Sequence, residues 1–204
     1  MDVFMNKIGR PMVMTADERR QEIFNVAETL FGTQGFEHVT MAEIAEAAGM
    51  SKKTLYVHFA DKRELLKSLV SSSYIWSEDA FNVVVEDAIA RLQQSLYMIA
   101  QHVLSERHIK LCRLAIAEQV GIEGLSDTFY DMGIATSRNY LIQRITDIPN
   151  TQYVLNLPAE VLADMIFGAC INPVFIDALF DRKTAEITTI YKQIDIMVQT
   201  LFNP

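Results

Sequence analysis

The stretch that decides the fold is residues 47–60, which read Ala-Ala-Gly-Met-Ser-Lys-Lys-Thr-Leu-Tyr-Val-His-Phe-Ala. Gly49 can adopt a positive φ and therefore predicts a tight turn. Ser51 follows it and is a residue type that caps the first turn of a helix. Two short helices joined by a three- or four-residue turn that contains glycine form a helix-turn-helix. The sequence predicts this motif, and the residues after Ser51 form its second helix.

The first turn of that second helix carries two positive charges, Lys52 and Lys53. Cations at a helix N-terminus oppose the macrodipole and cost about 0.3–1 kcal/mol each at a surface. Residues 47–60 contain no acidic side chain, although Glu46 and Asp61 flank them. A phosphate group would interact favourably with both lysines and with the free backbone N–H groups of the turn. Residues 47–60 are therefore a candidate site for binding an anion such as phosphate.

Further polar side chains share this short helix. Leu55 and Phe59 lie four residues apart and are expected to pack inward. Tyr56 and His58 then remain outside, where they are either ordinary solvated residues or groups that reach phosphates and base edges. The turn and the two lysines favour the second interpretation.

The rest of the chain predicts an all-α protein, because apolar residues recur at helical spacing and no segment alternates as a strand does. Capping boxes predict helices that begin at Thr15, Thr40 and Asp61, each with a glutamate three residues later. The spacing predicts further helices over residues 77–104, 106–119, 127–145, 158–180 and 184–202. Pro173 is expected to kink the helix over 158–180.

Composition narrows the class of protein. The 204 residues are 50% hydrophobic and carry a formal net charge of −8, which excludes wholesale disorder and argues against general affinity for nucleic acid. Residues 1–70 nevertheless carry nine basic and ten acidic side chains, so most of the negative charge belongs to the remainder. Cys112 and Cys170 form no disulfide framework, and no signal peptide or membrane span is recognised. We expect a soluble, cytoplasmic protein.

Residues 15–67 resemble the N-terminal domain of TetR-family transcriptional regulators. The residues that carry the resemblance run without insertions through both helices of the motif and into the next: Ala27, Leu30-Phe31, Gly35-Phe36, Thr40, Ile44-Ala45, Ala48-Gly49, Ser51, Leu55-Tyr56, His58-Phe59, Lys62 and Leu65-Leu66. The resemblance implies an all-α chain with a three-helix DNA-binding domain, followed by a larger helical bundle for ligand binding and dimerisation. We place a flexible basic arm at 1–14, with Lys7 and Arg10, the helix-turn-helix domain at 15–60, and the bundle at 61–204, in which 61–75 is the connecting helix.

The resemblance also implies three sets of functional residues. The DNA contacts are Thr40, Met41, Ser51, Lys52, Lys53, Thr54, Tyr56, His58 and Lys62. The candidates for an effector pocket are Tyr74, Phe81, Tyr97, Met98, His102, Phe129, Met132, Phe167 and Cys170. The candidates for the homodimer surface are Phe180, Ile187, Ile190, Ile194, Met197 and Leu201, which form an apolar stripe at steps of three and four residues. Val57 departs from the family pattern, in which many members carry an aromatic residue at that position.

The function that these features imply is a repressor that a small hydrophobic effector releases from a pseudo-palindromic operator in double-stranded DNA. We expect no enzyme activity, no cofactor, no metal and no membrane partner. A redox- or metal-responsive regulator is the alternative. A helical enzyme that uses His108 and Cys112, which share a helix face, is a third interpretation, but no catalytic motif accompanies the pair.

Overall fold

The structure is a computed structural model that describes residues 14–74, 85–182 and 185–203. These residues contain no β-strand, so the all-α prediction is confirmed. Their helices are α1 (Ala16–Gln34), α2 (Met41–Ala47), α3 (Lys52–His58), α4 (Lys62–Ser73), α5 (Ala88–Val103), α6 (Glu106–Glu118), α7 (Leu125–Phe129), α8 (Thr136–Thr146), α9 (Ala159–Cys170), α10 (Asn172–Leu179) and α11 (Ile187–Leu201). A π-helical segment, Tyr130–Ala135, joins α7 to α8, and a 3₁₀ turn, Asn150–Gln152, follows α8.

The chain divides into two compact units, Met1–Leu65 and Leu66–Pro204. The division falls within α4, whereas the sequence places the domain boundary before that helix, between residues 60 and 61. The predicted arm with Lys7 and Arg10 lies outside the described residues, apart from its last residue, Met14. Phe81 also lies outside them.

Local capping chemistry sets where the early helices begin. Thr15 accepts a hydrogen bond from the backbone N–H of Glu18 at 3.2 Å, and the Glu18 carboxylate accepts one from the Thr15 N–H at 2.7 Å. Thr40 and Glu43 repeat this reciprocal pair at the start of α2. These hydrogen bonds lower the pKa of both glutamates. The predicted capping boxes of α1 and α2 are confirmed, and Asp61 caps α4 by accepting from the Glu64 N–H at 2.8 Å.

The core of the first unit joins α1 to the helix-turn-helix. Phe24 of α1 packs against Phe59, which follows α3, with ring centroids 5.6 Å apart. The Arg20 guanidinium carbon lies 4.7 Å from the centroid of the Phe59 ring, within the range of a cation–π contact. Ile23 and Leu55 are fully buried in the same region of the chain. Burial of Leu55 and Phe59 confirms the predicted inner face of α3.

The core of the second unit is built mainly from α5, α8, α9 and α11, which pack on one another. Leu96 and Ile99 of α5 and Ile166 of α9 are fully buried there. The cluster continues through α11 to Phe202, whose ring packs on Tyr153 with centroids 5.4 Å apart. The apolar faces of these four helices thus pack together to form the core, and α6, α7 and α10 lie at its periphery.

The apolar run around Pro173 forms two helices, α9 and α10, where one kinked helix is predicted. The chain bends by 48° between them, at Ile171. Pro173 occupies the first turn of α10, where its missing N–H has little cost because helix-initiating N–H groups lack partners in any case. No single described helix is long and apolar enough to cross a membrane, and α9 and α10 reach that length and composition only as a bent pair.

The stripe predicted as a dimer surface is largely internal. Ile190, Ile194 and Leu201 are 0%, 0% and 2% exposed, because α11 turns this face towards α5 and α9 of the same chain. Their assignment to a dimer surface is wrong. Ile187 and Met197 are partly buried beside them, and Phe180 is 75% exposed. An amphipathic stripe identifies a buried face and leaves open whether a partner or the chain itself covers it.

Two aliphatic side chains offer a contrasting test of this packing. We expect Ile194→Ala to lower the free energy of unfolding by about 2–5 kcal/mol, since it removes methylene and methyl groups from a closed core. Val120, which follows α6, is 95% exposed, and Val120→Ala is expected to change stability by less than about 0.5 kcal/mol. Urea unfolding followed by circular dichroism measures both. Equal effects for the two variants would contradict the packing of α11.

Candidate functional sites

The exposed face of α3 is the first candidate site, and Ser51 organises its start. The Ser51 hydroxyl accepts a hydrogen bond from the backbone N–H of Thr54 at 3.1 Å, and the two side-chain oxygens lie 2.8 Å apart. The first turn of α3 contains no acidic residue. Lys52 and Lys53 are exposed there. The helix therefore presents two cations and its free backbone N–H groups to solvent.

The turn between α2 and α3 is a Schellman motif centred on Gly49, whose φ is +62°. The Met50 N–H donates to the Ala45 carbonyl at 2.9 Å, and the Gly49 N–H donates to the Glu46 carbonyl at 3.0 Å. This pair of hydrogen bonds fixes the direction in which the chain leaves α2. The lysines of α3 consequently have a defined position relative to α2.

The later part of α3 adds side chains of different character to the same face. Tyr56 is 51% exposed and Val57 is 78% exposed. Val57 stands where many members of the resembling family carry an aromatic residue, so the DNA contact of that aromatic residue is not carried over to this chain. His58 is half-buried, and its ring centroid lies 6.4 Å from that of Phe59.

Three other residues predicted to contact DNA have roles inside the protein. Met41 is only 8% exposed and belongs to the core, so its side chain offers little surface to DNA, and a DNA contact at this helix start stays a prediction. The Thr40 hydroxyl is occupied by Glu43, to which it donates at 2.7 Å. The Lys62 ammonium donates to the carbonyls of Phe36 at 2.6 Å and Glu37 at 3.2 Å, so it holds the turn after α1.

The second candidate site is a cavity of about 400 Å³ inside the second unit. Its wall comes from the end of α4 and from α5 to α10, and aromatic and aliphatic side chains dominate it. The lining residues are Tyr74, His102, Val103, His108, Phe129, Gly133, Ile134, Ser137, Arg138, Leu141, Ala163, Asp164, Phe167, Gly168, Asn172 and Phe175. A largely apolar cavity with a few polar groups is the usual form of a small-molecule site.

The structure separates the residues predicted for an effector pocket into two groups. Tyr74, His102, Phe129 and Phe167 line the cavity. Tyr97, Met98, Met132 and Cys170 do not line it. The ring of Tyr97 lies next to that of Tyr191, with centroids 4.4 Å apart, and its hydroxyl donates a hydrogen bond to Asp195. Cys170 is a buried residue of α9. These four residues lie outside this cavity, because helical spacing identifies an inward side chain without showing where the packed helices leave a gap.

Most polar residues that line the cavity are not among the effector-pocket residues predicted from the sequence. His108 shares a helix face with Leu111, Cys112 and Ala115, and a histidine on such an inward face could have been predicted as part of the cavity wall. Its spacing to Cys112 suggests a catalytic pair instead. Arg138 and Asp164 form a bidentate ion pair with N–O distances of 2.7 and 2.9 Å. They lie on different helices, and nothing in the local sequence connects them.

Tyr74 stands at the centre of the aromatic wall. Its ring lies edge-on to those of His108 and Phe129, with centroid distances of 5.4 and 5.7 Å. Gly133 of the π-helical segment faces this ring so closely that a β-carbon at residue 133 would lie 2.6 Å from Tyr74 Cε1. The absence of a side chain at Gly133 therefore allows Tyr74 to occupy this position.

The thiols of the chain are poorly suited to redox or metal chemistry. Cys112 is fully buried, and burial raises the pKa of its thiol to about 12 despite a hydrogen bond with Tyr74. Cys170 is also buried, and its pKa is raised for the same reason. Thiolates are the reactive and metal-binding form of cysteine, so burial disfavours redox and metal chemistry at both thiols. The described residues contain no group of three histidine, cysteine or acidic side chains placed to hold a metal ion.

The Schellman turn and the basic first turn of α3 together define a helix-turn-helix DNA-binding domain. Residues 23–69 match the family model of bacterial regulatory proteins of the tetR family. The N-terminal domain of the chain is therefore similar to the DNA-binding domain of the TetR family of transcriptional regulators.

Two known transcriptional regulators are similar in sequence to part of this chain. The chain is 37% identical over 76 residues to the HTH-type transcriptional regulator AcrR of Shigella flexneri. The aligned segment covers 37% of this chain and 33% of that protein. It is 25% identical over 95 residues to the HTH-type transcriptional repressor KstR2 of Mycolicibacterium smegmatis, 46% of each chain. The chain thus matches less than half the length of these two relatives.

The fold of the whole chain also has solved counterparts. The crystal structure of a transcriptional regulator from Saccharomonospora viridis in complex with choline matches with a TM-score of 0.73 and 16% identity, over 92% of this chain and 100% of that chain. At this identity the likeness shows the fold, including the helical second unit.

Proposed function

We propose that the chain is a ligand-responsive repressor that binds a pseudo-palindromic DNA operator as a homodimer. The observation that carries the proposal is the exposed start of α3, where Lys52 and Lys53 stand without an acidic neighbour on a helix fixed by a Schellman turn. Lysines and free N–H groups in this arrangement bind phosphate, and Tyr56 and Val57 on the same helix reach base edges. The relative KstR2 is itself a repressor.

Selection from a pool of random DNA duplexes tests this function for an operator of any sequence. The purified full-length chain should enrich an inverted repeat whose half-sites are separated by about 34–36 Å or a multiple of one helical turn, as two-fold symmetry requires. Enrichment of no sequence, with binding that depends only on ionic strength, would contradict a specific operator-binding function.

We place the homodimer surface on the exposed apolar side chains of α9 to α11, in place of the buried stripe. Phe180, at the end of α10, is 75% exposed, and Ile196 of α11 is 64% exposed. Val161 and Met165 of α9 and Ile176 of α10 are also exposed. Large apolar side chains exposed on neighbouring helices are typical of a protein–protein interface.

The double variant Phe180→Asp, Ile196→Asp is expected to be monomeric at micromolar concentration, because it introduces like charges into an apolar contact that a symmetric dimer repeats. Sedimentation velocity measures the change. Val120→Asp is the matched control, since Val120 is 95% exposed at the end of α6 and lies outside α9 to α11. A dimer that persists in the double variant would place the interface elsewhere.

We propose that the cavity of the second unit holds the effector. Its volume of about 400 Å³ lies within the range of small-molecule sites, roughly 300–1,000 Å³. The solved regulator that shares this fold contains choline. Tyr74 lines the cavity and directly follows α4, the helix that begins four residues after the end of α3. A ligand that moves Tyr74 would therefore act on the helix that leads to the DNA-binding motif.

Release of the operator by the effector follows from thermodynamic linkage between ligand binding and DNA binding. An effector that binds better to a conformation with misplaced recognition helices lowers operator affinity by its differential affinity for the two conformations. The neutral fluorescent compound N-phenyl-1-naphthylamine is a suitable first probe of the cavity, since its emission rises in an apolar environment. Saturable binding at one site per chain supports the cavity as a ligand site, and the absence of saturable binding would contradict it.

A further inference from the structure

Lys62 is the first residue of α4, and main-chain atoms of the turn between α1 and α2 hold its ammonium group. The ammonium donates to the carbonyl oxygen of Phe36 at 2.6 Å and to that of Glu37 at 3.2 Å. The centroid of the Phe36 ring lies 4.3 Å from the same nitrogen, within the range of a cation–π contact. A lysine ammonium has three donors. Two of them are committed to carbonyls, and an aromatic ring lies beside the group.

The part of the turn that Lys62 holds is itself fixed at both ends. Phe36 is 3% exposed, and its ring packs against that of Phe31 in α1 with centroids 5.2 Å apart. Four residues later α2 begins at the reciprocal hydrogen bonds of Thr40 and Glu43. These hydrogen bonds are the main cause of the lowered pKa of Glu43, and the positive charge of Lys62 lowers it further. Lys62 therefore acts on the start of α2 as well as on the turn before it.

The start of α2 determines where α3 lies, because the Schellman turn fixes one helix relative to the other. α2 has seven residues and is therefore about 10 Å long. A tilt of about 5° at its start would move its far end, and with it Lys52 and Lys53, by about 1 Å. Hydrogen bonds span donor–acceptor distances of only roughly 2.7–3.2 Å, so a shift of this size disrupts contacts with base edges.

We propose that Lys62 is a positioning residue for sequence recognition, which fixes the start of α2 against α4 and thereby aims α3, and that it does not bind a DNA phosphate. The resemblance implies a DNA contact at this position, so the two roles make different predictions. A phosphate contact strengthens binding to every DNA sequence, whereas the position of α3 matters for the reading of base edges. This inference rests on the proposed operator-binding function and identifies a residue that determines its specificity.

The variant Lys62→Met keeps an unbranched side chain and removes the donors. We expect it to bind the selected operator about tenfold more weakly, which corresponds to the loss of one good base contact. Its affinity for a duplex of scrambled sequence should stay within about twofold of wild type, with the same salt slope, since no phosphate contact is lost. Lys52→Met is the contrasting variant, which should weaken binding to both duplexes and lower the salt slope by about two units per dimer. Lys192→Met, at an exposed lysine of α11, should change neither affinity.

Fluorescence anisotropy with the two labelled duplexes measures these affinities for the full-length chain. Equal losses on both duplexes, with a lower salt slope, would make Lys62 a phosphate contact and overturn the inference. Wild-type affinity of Lys62→Met for the operator would overturn it as well, because the start of α2 would then keep its place without the ammonium.

Brief acetylation of the wild-type chain, read by mass spectrometry, decides the question even if Lys62→Met does not fold. Lys62 should react slowly in the free chain, because its ammonium must first leave two carbonyls, and the operator should protect it no further. Lys52 and Lys53 should react rapidly and be protected by the operator. Rapid acetylation of Lys62 in the free chain, or its protection by the operator, would overturn the inference. Failure to select any operator would contradict the proposed function instead, and the reactivity of Lys62 in the free chain would still test its contacts.

Discussion

Replacing Lys52 and Lys53 with alanine is expected to weaken operator binding by about a hundredfold or more at physiological salt. Each lysine stands at the exposed start of α3, and hydrogen bonds to charged groups contribute roughly 1.5–3 kcal/mol each. Two lysines in each protomer give four lost phosphate contacts per dimer. The slope of log affinity against log salt should therefore fall by about one unit for each lost contact.

Fluorescence anisotropy with the selected operator, repeated over a range of salt concentrations, measures both quantities. The double variant Lys110→Ala, Lys192→Ala removes the same charge from α6 and α11 and is the matched control. The fold should survive the α3 substitutions, because removing cations from a helix N-terminus relieves about 0.3–1 kcal/mol each. Wild-type affinity and an unchanged salt slope in the Lys52, Lys53 variant would overturn α3 as the recognition helix.

The second large effect is expected at Gly168, which lies in α9 and lines the cavity. An added β-carbon at Gly168 meets no atom within 4 Å, so the backbone can accommodate Gly168→Trp, and we expect the indole at this exposed rim position to take up part of the cavity. Overpacking of a site typically costs about 1–3 kcal/mol, which corresponds to a loss of ligand affinity of about tenfold to a hundredfold. The helix itself should gain slightly, because glycine in a helix interior is unfavourable.

The Gly168→Trp variant should bind the operator normally and fail to release it when ligand is added. Titration with N-phenyl-1-naphthylamine measures the loss of ligand, and anisotropy of labelled operator measures the loss of release. Gly32→Trp is the control for ligand binding, since Gly32 also has open space around it but lies on the exposed face of α1 in the first unit. Undiminished ligand affinity in Gly168→Trp would place the effector outside this cavity.

The DNA-binding unit can be predicted in detail because its determinants are local. Thr15 and Thr40 set their helix starts through hydrogen bonds to residues only three positions away, and Gly49 sets the turn by its own backbone conformation. Such interactions depend on sequence spacing alone. The burial of the Met41 side chain, at the first position of α2, is an exception, because it depends on packing that the local spacing does not show.

The second unit can be predicted only in outline because its determinants are long-range. Ile190 and Ile194 form a stripe that the sequence shows clearly, but only the packing of α11 on α5 and α9 decides that the chain covers it. The ion pair of Arg138 with Asp164 likewise depends on how α8 meets α9. A cavity is the volume that several helices fail to fill, so no single segment encodes it.

The contact between Gly133 and Tyr74 has a consequence for how the protein can evolve. A β-carbon at residue 133 would overlap the tyrosine ring, so a lineage can gain a side chain at residue 133 only where residue 74 has become smaller. The two positions therefore form one steric unit and are expected to covary among homologues that keep this packing. A smaller residue at position 74 would also remove an aromatic surface from the cavity. Substitutions at residue 133 of the π-helical segment and changes in the ligand that the cavity can accept are thus linked through Tyr74.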